Sequence, residues 1–515
     1  MKKRIFWVLF FLYFLNLFNF TLAVSQAPEY INVGLDYGED ALPEVELYFD
    51  QGFSLSYKGQ EIFAAGQKSG IKAVLVNGLY TELASGFSDF YQAQNYINDH
   101  GLTYLGSWPA FVGDSWSVWL SQEGSSALGW EFSNVRFDAC LFFYDSWGNE
   151  LFFFQPSMHS APNILKDHGA VFSDLGGGFI YYGPNLRAYP HQMILQRFDA
   201  QGITVINRLL FEDYIAAVIS REMSPSWPLE ALKAQAVASR SFILATQYDK
   251  IPYYLEYGFD INTTQQTYIG FDLALNGIIE EAVAQTQGEV ARFTNNKGEA
   301  EIIAAYFPAD AGGATENCEN VFFQALPYIR GTMELYETES PDYAWEKEMS
   351  NQDFREALID LYGDPGEILA VRQIKSGAHG ALLEAEIEGS RKNLYLSNHQ
   401  LRDLFELKSY RFTIKKPVDL YFISAQARSV QEERGLTPII SRDGRTSLPL
   451  NQNSRIISAQ GQNSFLEKPD NLIINGGGYG HNLGLSQHGA KTMADQGHDY
   501  REIIEFYFKG VWISP

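Results

Sequence analysis

The pattern of apolar and polar positions predicts strands and helices in alternation along the first part of the chain. Residues 71–82 (IKAVLVNGLYTE) and 114–123 (DSWSVWLSQE) have the apolar runs of strands. Between them, residues 87–101 (FSDFYQAQNYINDHG) have the spacing of an amphipathic helix that ends at Gly101. Residues 135–154 (VRFDACLFFYDSWGNELFFF) follow as aromatic-rich strands, whose rings we expect in the core.

A second strand and helix lead into a proline-rich junction. Residues 203–223 (ITVINRLLFEDYIAAVISREM) begin as an extended apolar run and continue as a short helix. Pro225 and Pro228 delay the next helix until about residues 226–228, because proline is tolerated only in the first turn. The pattern therefore places Glu222 in a loop just before a helix.

The helix after this junction carries two cations beside its apolar stripe. At roughly 100° per residue, Lys233 and Arg240 lie within about 40° of that stripe. Cations on the buried edge of a helix need anionic partners, either carboxylates of the protein or an anionic substrate. Glu230, in the first turn, suits the positive end of the helix dipole. The apolar residues of the stripe are Leu229, Leu232, Ala236 and Ile243.

The rest of the chain continues as strands and helices and closes on a glycine-rich motif. The alternation reaches about residue 415, and residues 416–470 form a polar stretch that we interpret as a surface insertion. Residues 471–513 predict a strand, a glycine-rich turn, a helix, a loop and a helix. The predicted fold class is α+β (mixed α/β).

The N-terminal segment has the features of an export signal. Lys2, Lys3 and Arg4 precede an apolar run at residues 5–20, and Ala23 offers a small residue for cleavage. Residues 1–27 are therefore a signal peptide or an N-terminal anchor, and no later stretch resembles a membrane span. The protein is expected outside the cytoplasm, extracellular or associated with the cell wall or membrane.

Charge and cysteine content exclude some classes of partner. The 515 residues carry a formal net charge of −24, which argues against nucleic acid because phosphate binding needs a basic field. Cys140 and Cys318 form either one disulfide or two buried thiols, and no C-x-x-C spacing supports a zinc site.

Five segments resemble, in order, the motifs of the stage II sporulation protein D family, which is also named after amidase-enhancer proteins. The resemblance extends over about residues 200–515, apart from the insertion, and residues 401–414 are similar to the segment that precedes the last motif. It implies a catalytic domain at 191–515 and an accessory region at 28–190, in which residues 85–102 resemble a SPOR-like peptidoglycan-binding repeat. The five segments are INRLLFEDYIAAVISREMSPSWPLEALKAQAVASRSF (206–242), FDINTTQQTYIG (259–270), AVAQTQGEVARF (282–293), AYFPADAGGATENCENVF (305–322) and GGGYGHNLGLSQHGAKTMADQGHDYREIIEFYF (476–508).

The resemblance implies a lytic transglycosylase that cleaves peptidoglycan glycan strands, preferably strands without stem peptides. Such an enzyme uses a single carboxyl group as acid and then base, and Glu222 matches the family's catalytic glutamate. Lys233 and Arg240 match basic residues of the active-site helix, where they bind the lactyl carboxylate of muramic acid or hold Glu222. The other residues matched to the family's site are Gln266, Tyr268, Thr315, Tyr479, His481, Ser486 and Gln487.

Some positions depart from the family's pattern, and two other functions remain open. Asn482, Leu485 and His488 stand where the family usually has Gly, Met and Tyr. The loop before Gln266 has neither the Cys nor the His through which some members bind zinc, so we expect no metal and no cofactor. The alternatives are a non-catalytic protein that binds glycan or stimulates a cell-wall amidase, and a hydrolytic muramidase for which Asp310 is a candidate second carboxylate.

Overall fold

The computed structural model describes most of the chain. The described residues are 27–66, 69–121, 135–155, 169–196, 202–246, 257–264, 266–271, 277–322, 324–415, 421–423, 429–431, 438–441, 444–447 and 471–515. The predicted export signal, and the parts of the predicted insertion between these ranges, lie outside the described residues.

The chain forms two compact units. The first contains the chain up to Trp227, together with Ser239–Val290 and Ser514–Pro515, and the second contains Pro228–Ala238 and Ala291–Ile513. The predicted domain boundary at residue 190 falls inside the first unit.

The first unit is built mainly of strands. Its helices are α1 (Phe90–Asp99), α2 (Phe211–Glu222), the later part of α3 (Leu229–Thr246) and α4 (Gly277–Gln285). Its strands are β1 (Tyr30–Asp36), β2 (Glu44–Phe49), β3 (Gly52–Tyr57), β4 (Gln60–Gly66), β5 (Ser69–Phe87), β6 (Ser107–Val112), β7 (Ser115–Ser121), β8 (Val135–Asp145), β9 (Glu150–Gln155), β10 (Ala170–Asp174), β11 (Ile180–Tyr182), β12 (Arg187–Tyr189), β13 (Gln192–Gln196), β14 (Thr204–Leu210) and β15 (Ile261–Asn262).

Two sheets organise these strands. One has seven strands in the order β15-β1-β14-β13-β10-β3-β4, and it therefore combines strands from both sides of residue 190. The other has eight strands in the order β12-β11-β2-β5-β7-β6-β9-β8. Because β5 also pairs with β8, strands β5 to β9 close into a ring. Five aromatic residues of the segment 135–154 are core residues as predicted, since Phe142, Phe143 and Phe152–Phe154 are buried, whereas Trp147, between β8 and β9, is 86% exposed.

Within the described residues, the second unit contains three three-stranded sheets, two two-stranded sheets (β23-β24 and β25-β26) and a hydrophobic core of its own. Its three-stranded sheets have the orders β17-β16-β28, β18-β27-β22 and β19-β20-β21. Its helices are the first part of α3, α5 (Cys318–Val321), α6 (Asn351–Tyr362), α7 (Asn398–Leu404), α8 (Gln487–Asp495) and α9 (Tyr500–Tyr507). Its strands are β16 (Val290–Thr294), β17 (Ala300–Ile302), β18 (Trp345–Ser350), β19 (Ile368–Ser376), β20 (Leu382–Gly389), β21 (Leu394–Ser397), β22 (Phe412–Lys415), β23 (Tyr421–Ile423), β24 (Ser429–Gln431), β25 (Pro438–Ser441), β26 (Gly444–Ser447), β27 (Asn471–Gly476) and β28 (Val511–Ser514).

The predicted fold class and several predicted elements are confirmed. The structure is mixed α and β, and β5, α1 and β7 lie where the pattern placed a strand, a helix and a strand. Asp89 caps α1 by accepting the N–H of Gln92, and Gly101 follows the helix at φ +64°. Whether this region binds peptidoglycan as a SPOR-like repeat stays a prediction.

Two further features of the chain concern membrane-spanning helices and the state of its cysteines. Among the helices of the described residues, none is both long and apolar enough to cross a membrane. Cys140 and Cys318 are both buried thiols rather than a disulfide. Burial raises the pKa of the Cys318 thiol to about 12, so this group stays protonated at neutral pH.

Candidate active site

Glu222 ends a helix instead of lying in a loop, which corrects the prediction from the proline pattern. It is the last residue of α2, and Met223 has extended backbone angles. Pro225 disfavours a helical conformation at Ser224, so the helix stops before it. Glu222 is four residues after Val218, and this spacing places it on the continuation of the buried face of α2. Glu222 as a whole residue is consequently half-buried.

A loop of the same unit holds the Glu222 carboxyl group. The backbone N–H of Thr267 donates to Oε1 of Glu222 over 3.2 Å. The loop is fixed by its neighbours, because the amide of Gln266 accepts from the Tyr214 hydroxyl over 3.0 Å and donates to the carbonyl of Ser239 over 3.3 Å. The predicted site residue Gln266 is therefore brought into the same hydrogen-bonded group as Glu222, although its own side chain is buried.

Two buried tyrosines complete this group. The hydroxyl of Tyr268 donates to the side chain of Asn207, and the ring of Tyr268 packs against Tyr214 with centroids 5.4 Å apart. Burial, and to a smaller extent the charge of Glu222, raise the pKa of Tyr214 well above its usual range. Tyr214 therefore remains a hydrogen-bond donor to Gln266 at neutral pH. Both Gln266 and Tyr268 are placed to shape the loop around Glu222.

Arg240, predicted as a substrate ligand or a support for Glu222, has a carboxylate of the protein as its partner instead. Its side chain is fully buried, and its guanidinium donates to both carboxylate oxygens of Glu212 over 2.7 to 3.0 Å. It also donates to the hydroxyl of Thr286 and the carbonyl of Val283, each over 3.1 Å. The sequence left two kinds of partner open for this cation, a carboxylate of the protein or an anionic substrate. The partner in the structure is the protein carboxylate of Glu212.

Lys233 also pairs with a protein carboxylate, in the second unit. Its ammonium group lies 2.8 Å from Glu230 and 4.4 Å from the ring centre of Tyr500. Glu230 in turn accepts the N–H of Tyr500 over 2.9 Å. Glu230 thus links α3 to the start of α9, beyond the role in the helix dipole that the sequence suggested.

Glu337 connects two glycine-containing loops of the second unit, and sequence reasoning missed it. Its carboxylate accepts the N–H of Ala311 over 3.0 Å and the N–H of Gly313 over 2.7 Å, both from the first loop. It also accepts the hydroxyl of Ser486 from the second loop over 2.5 Å. Burial, followed by the charge of Asp310, raises the pKa of Glu337 to about 7.

The other predicted residues of the second unit differ in exposure. Tyr479 is 53% exposed, while Thr315, Ser486 and Gln487 are buried. The hydroxyl of Thr315 accepts the N–H of Thr332 over 2.9 Å, which agrees with a role in stabilising the loop. Ser486 caps α8 by accepting the N–H of Gly489 over 3.2 Å. Of these four side chains, that of Tyr479 is the most accessible to a ligand.

His481 is neutral at neutral pH. Burial, and secondarily the charge of Arg402, lower its pKa to about 4. Its Nδ1 accepts the N–H of Leu483 over 3.1 Å, so this nitrogen carries no proton. Within the described residues there is no group of three His, Cys, Asp or Glu side chains placed to hold a metal ion.

Comparison with known proteins identifies the family. The family model described as SpoIID, stage II sporulation protein, matches residues 199–293. An uncharacterised protein of Brachyspira hyodysenteriae is 30% identical over 352 residues, which are 67% of this chain and 76% of that protein. The stage II sporulation protein D of Bacillus amyloliquefaciens is 26% identical over 344 residues, or 64% of this chain and 81% of the relative. This chain belongs to the stage II sporulation protein D family.

A further relative is named for an effect on another enzyme. The amidase enhancer of Bacillus subtilis is 27% identical over 310 residues, which are 58% of this chain but only 40% of that protein. The matched family segment contains Glu222, Lys233, Arg240, Gln266 and Tyr268, whereas the predicted residues from Thr315 onward lie beyond it.

One departure from the sporulation protein D pattern has a clear structural reason. Asn482, which stands where the family usually has Gly, adopts φ +59°. Asn is one of the few residues that enter this left-handed region at low cost. Its side chain donates to the carbonyl of Ala311 over 3.0 Å and accepts the N–H of Tyr410 over 3.0 Å. The substitution therefore keeps the turn and adds two hydrogen bonds.

Proposed function

We propose that this protein is a peptidoglycan lytic transglycosylase that acts on glycan strands stripped of stem peptides. It cleaves the bond between N-acetylmuramic acid and N-acetylglucosamine and leaves 1,6-anhydro ends. The observation that carries the proposal is the carboxyl group of the half-buried residue Glu222, held at the end of α2 by the N–H of Thr267. Membership of the sporulation protein D family supports a role in remodelling the cell wall, including remodelling during sporulation.

Glu222 acts first as a general acid and then as a general base. In its protonated form it gives its proton to the glycosidic oxygen while the bond from that oxygen to the anomeric carbon of muramic acid breaks. The C6 hydroxyl of the same muramic acid then bonds to the anomeric carbon, and its proton passes to the Glu222 carboxylate. The acid is regenerated without water, so one carboxyl group suffices for the whole cycle.

The surroundings of Glu222 suit this exchange of a proton. The carboxyl group lies at the C-terminal end of α2, beside the loop that contains Thr267. The N–H of Thr267 binds Oε1 whether or not the carboxyl group is protonated, so it fixes the orientation throughout the cycle. Gln266 and Tyr268 then serve as positioning residues that keep the Thr267 N–H in place.

The product that the protein releases distinguishes the proposed function from its alternatives. Peptide-free glycan strands are incubated with the full chain, and the ends are analysed by mass spectrometry. We expect 1,6-anhydro ends, which are lighter than reducing ends by one water. Replacing Glu222 by Gln keeps the acceptor for Thr267 but removes the proton donor, so release should fall by at least about a hundredfold. Glu280→Gln, an exposed position of α4, is the control and should leave the rate unchanged.

The other outcomes would replace the proposal. Reducing ends would make the protein a hydrolytic muramidase. A protein that binds glycan but releases no ends would fit the second candidate, a non-catalytic stimulator of a cell-wall amidase, which the name of the Bacillus subtilis relative favours. That candidate is tested by adding a cell-wall amidase and measuring the release of stem peptides.

An extracellular location follows from the same proposal. Peptidoglycan lies outside the cytoplasmic membrane, and the basic and apolar residues of segment 1–27 have the pattern expected of an export signal or anchor. We propose that the protein contacts the membrane only through this segment, in the case that the segment is not cleaved.

A further inference from the structure

The first unit contains a cleft with a volume of about 660 Å³. It lies between the end of β1, strand β2, the hairpin of β11 and β12, and the loop that follows β15. Its volume is within the roughly 300–1,000 Å³ that is usual for ligand pockets. Most of these walls belong to the part of the chain before residue 199, outside the segment that matches the family model.

Polar and aromatic groups line the cleft together. The half-buried carboxyl group of Asp36 accepts the hydroxyl of Tyr182 over 2.5 Å, and burial raises the pKa of Asp36. Tyr48, also in the lining, is 38% exposed. Carboxyl and phenol groups exchange hydrogen bonds with hydroxyls, while tyrosine rings pack against apolar faces. This combination fits a ligand with both hydroxyl groups and C–H faces, which is the chemistry of a sugar.

The local charge is close to balanced. The two glutamates of the lining, Glu44 and Glu46, both lie near the ammonium group of Lys72, at 2.7 and 3.5 Å. Arg187 adds a positive charge to the same walls and donates to the carbonyl of Ile269 over 3.1 Å. The cleft therefore does not present the strong single-sign charge that a highly charged ligand would need.

The cleft shares a loop with the candidate catalytic group. Tyr268 and Ile269 are in its lining, and they directly follow Thr267, whose N–H binds Glu222. The loop is also anchored to the β11–β12 hairpin, because the N–H of Phe271 donates to the carbonyl of Ala188 over 2.7 Å. The loop that holds the Glu222 carboxyl group therefore also forms part of the wall of the cleft.

We propose that this cleft is a saccharide-binding subsite, which holds sugar residues of the glycan strand beyond the bond that is cleaved. The inference rests on the proposed function, since it names the continuation of the same substrate. Binding of remote parts of a polymer supplies energy that orients the reacting bond. Long strands should consequently bind better than fragments too short to reach the cleft.

Binding measurements on the full chain with Glu222→Gln test the subsite without cleavage. Peptide-free glycan fragments of increasing length are titrated by calorimetry. We expect Tyr48→Ala to weaken the binding of long fragments about tenfold and to leave the binding of the shortest fragments unchanged. Tyr104→Ala removes a tyrosine that is 96% exposed and outside the cleft lining, and it is the matched control.

A second pair of variants protects the test against a folding defect. Leu186 is 52% exposed at the rim of the cleft, and Leu186→Glu places a negative charge where an anionic strand would pass. It should also weaken the binding of long fragments about tenfold, whereas Leu175→Glu, at an exposed leucine outside the lining, should not. Equal affinities for long fragments in all four variants would overturn the proposal.

The outcomes also separate the subsite from the proposed function. If the wild-type protein releases anhydro ends but Tyr48→Ala and Leu186→Glu bind long strands normally, the subsite is refuted and the transglycosylase stands. If these variants lose binding but the wild type releases no ends, the subsite stands and the transglycosylase is refuted. A variant effect on the binding of free stem peptide, with none on glycan, would show a peptide site and overturn the saccharide assignment.

Discussion

At the scale of single residues, Arg240 is expected to matter for stability more than for binding. Removing one partner of a buried ion pair costs about 3–5 kcal/mol, and Glu212 is partly exposed, so we expect Arg240→Met to lower the free energy of unfolding by about 3 kcal/mol. Lys491→Met breaks an exposed pair with Asp495 and should cost less than about 0.5 kcal/mol. Urea unfolding measures both. Normal stability with lost glycan binding in Arg240→Met would instead make this guanidinium a substrate ligand.

Glu337 gives the second residue-scale prediction, a dependence of stability on pH. An acid whose pKa rises from 4.5 to about 7 on folding holds more protons in the folded state between these values. The free energy of unfolding should therefore fall as pH rises from about 5 to about 7, by roughly 2–3 kcal/mol from this group, and level off above. Glu337→Gln should flatten this profile, whereas the exposed Glu356→Gln should not. An unchanged profile in Glu337→Gln would contradict the account.

The sequence identified the chemical types of these residues better than their partners. Helical spacing showed that Arg240 needs an anion, but Glu212 lies 28 residues earlier and is one of many acids in the chain. Glu337 was missed because nothing in its surrounding sequence, YETESPD, separates it from a solvated glutamate. Its burial depends on two loops that meet only in the folded second unit. Glu222 is identified by the family resemblance, because its position alone does not distinguish it from a solvated glutamate.

At the scale of elements, the close approach of the loop at Gly312 to the loop at Gly477 gives a prediction about stability. Gly312 has φ +64°, and a Cβ there would overlap the backbone of Gly477. Gly298 has φ +82° but open space around its Cα. Gly312→Ala and Gly298→Ala should each lose about 1–2 kcal/mol of stability, because alanine is strained at a positive φ. Gly312→Ala should lose about 1–3 kcal/mol more, because its Cβ overlaps the backbone of Gly477. Equal losses in urea unfolding would show that the loops separate without cost.

Local signals predicted the elements well where hydrophobic periodicity or turn chemistry is strong. The strand and helix at 204–222 lie where the pattern predicted an extended run followed by a helix. The predicted end of α2 was wrong by a few residues. Pro225 disfavours helical backbone angles only at the residue before it, so the helix continues up to Glu222. This small difference matters chemically, since it places the carboxyl group on a helix end rather than in a loop.

At the scale of the whole molecule, the two units do not follow a simple division of the chain. The first unit resumes at Ser239, and the seven-stranded sheet pairs β1 with β14, so residues near the start of the chain support the segment that matches the family. Sequence reasoning separated these regions because the family motifs begin near residue 200. Pairing between distant strands leaves no local signal, so the sequence predicts the fold class but not that β1 joins the same sheet as β14.

The most direct test of the central claim is the amount of 1,6-anhydro ends that the full chain releases from peptide-free glycan, compared between the wild type and Glu222→Gln. We predict that the wild type releases them and that the variant, folded and still able to bind glycan, releases at least about a hundredfold fewer. Equal release by the two proteins would show that Glu222 is not the catalytic acid and would contradict the account.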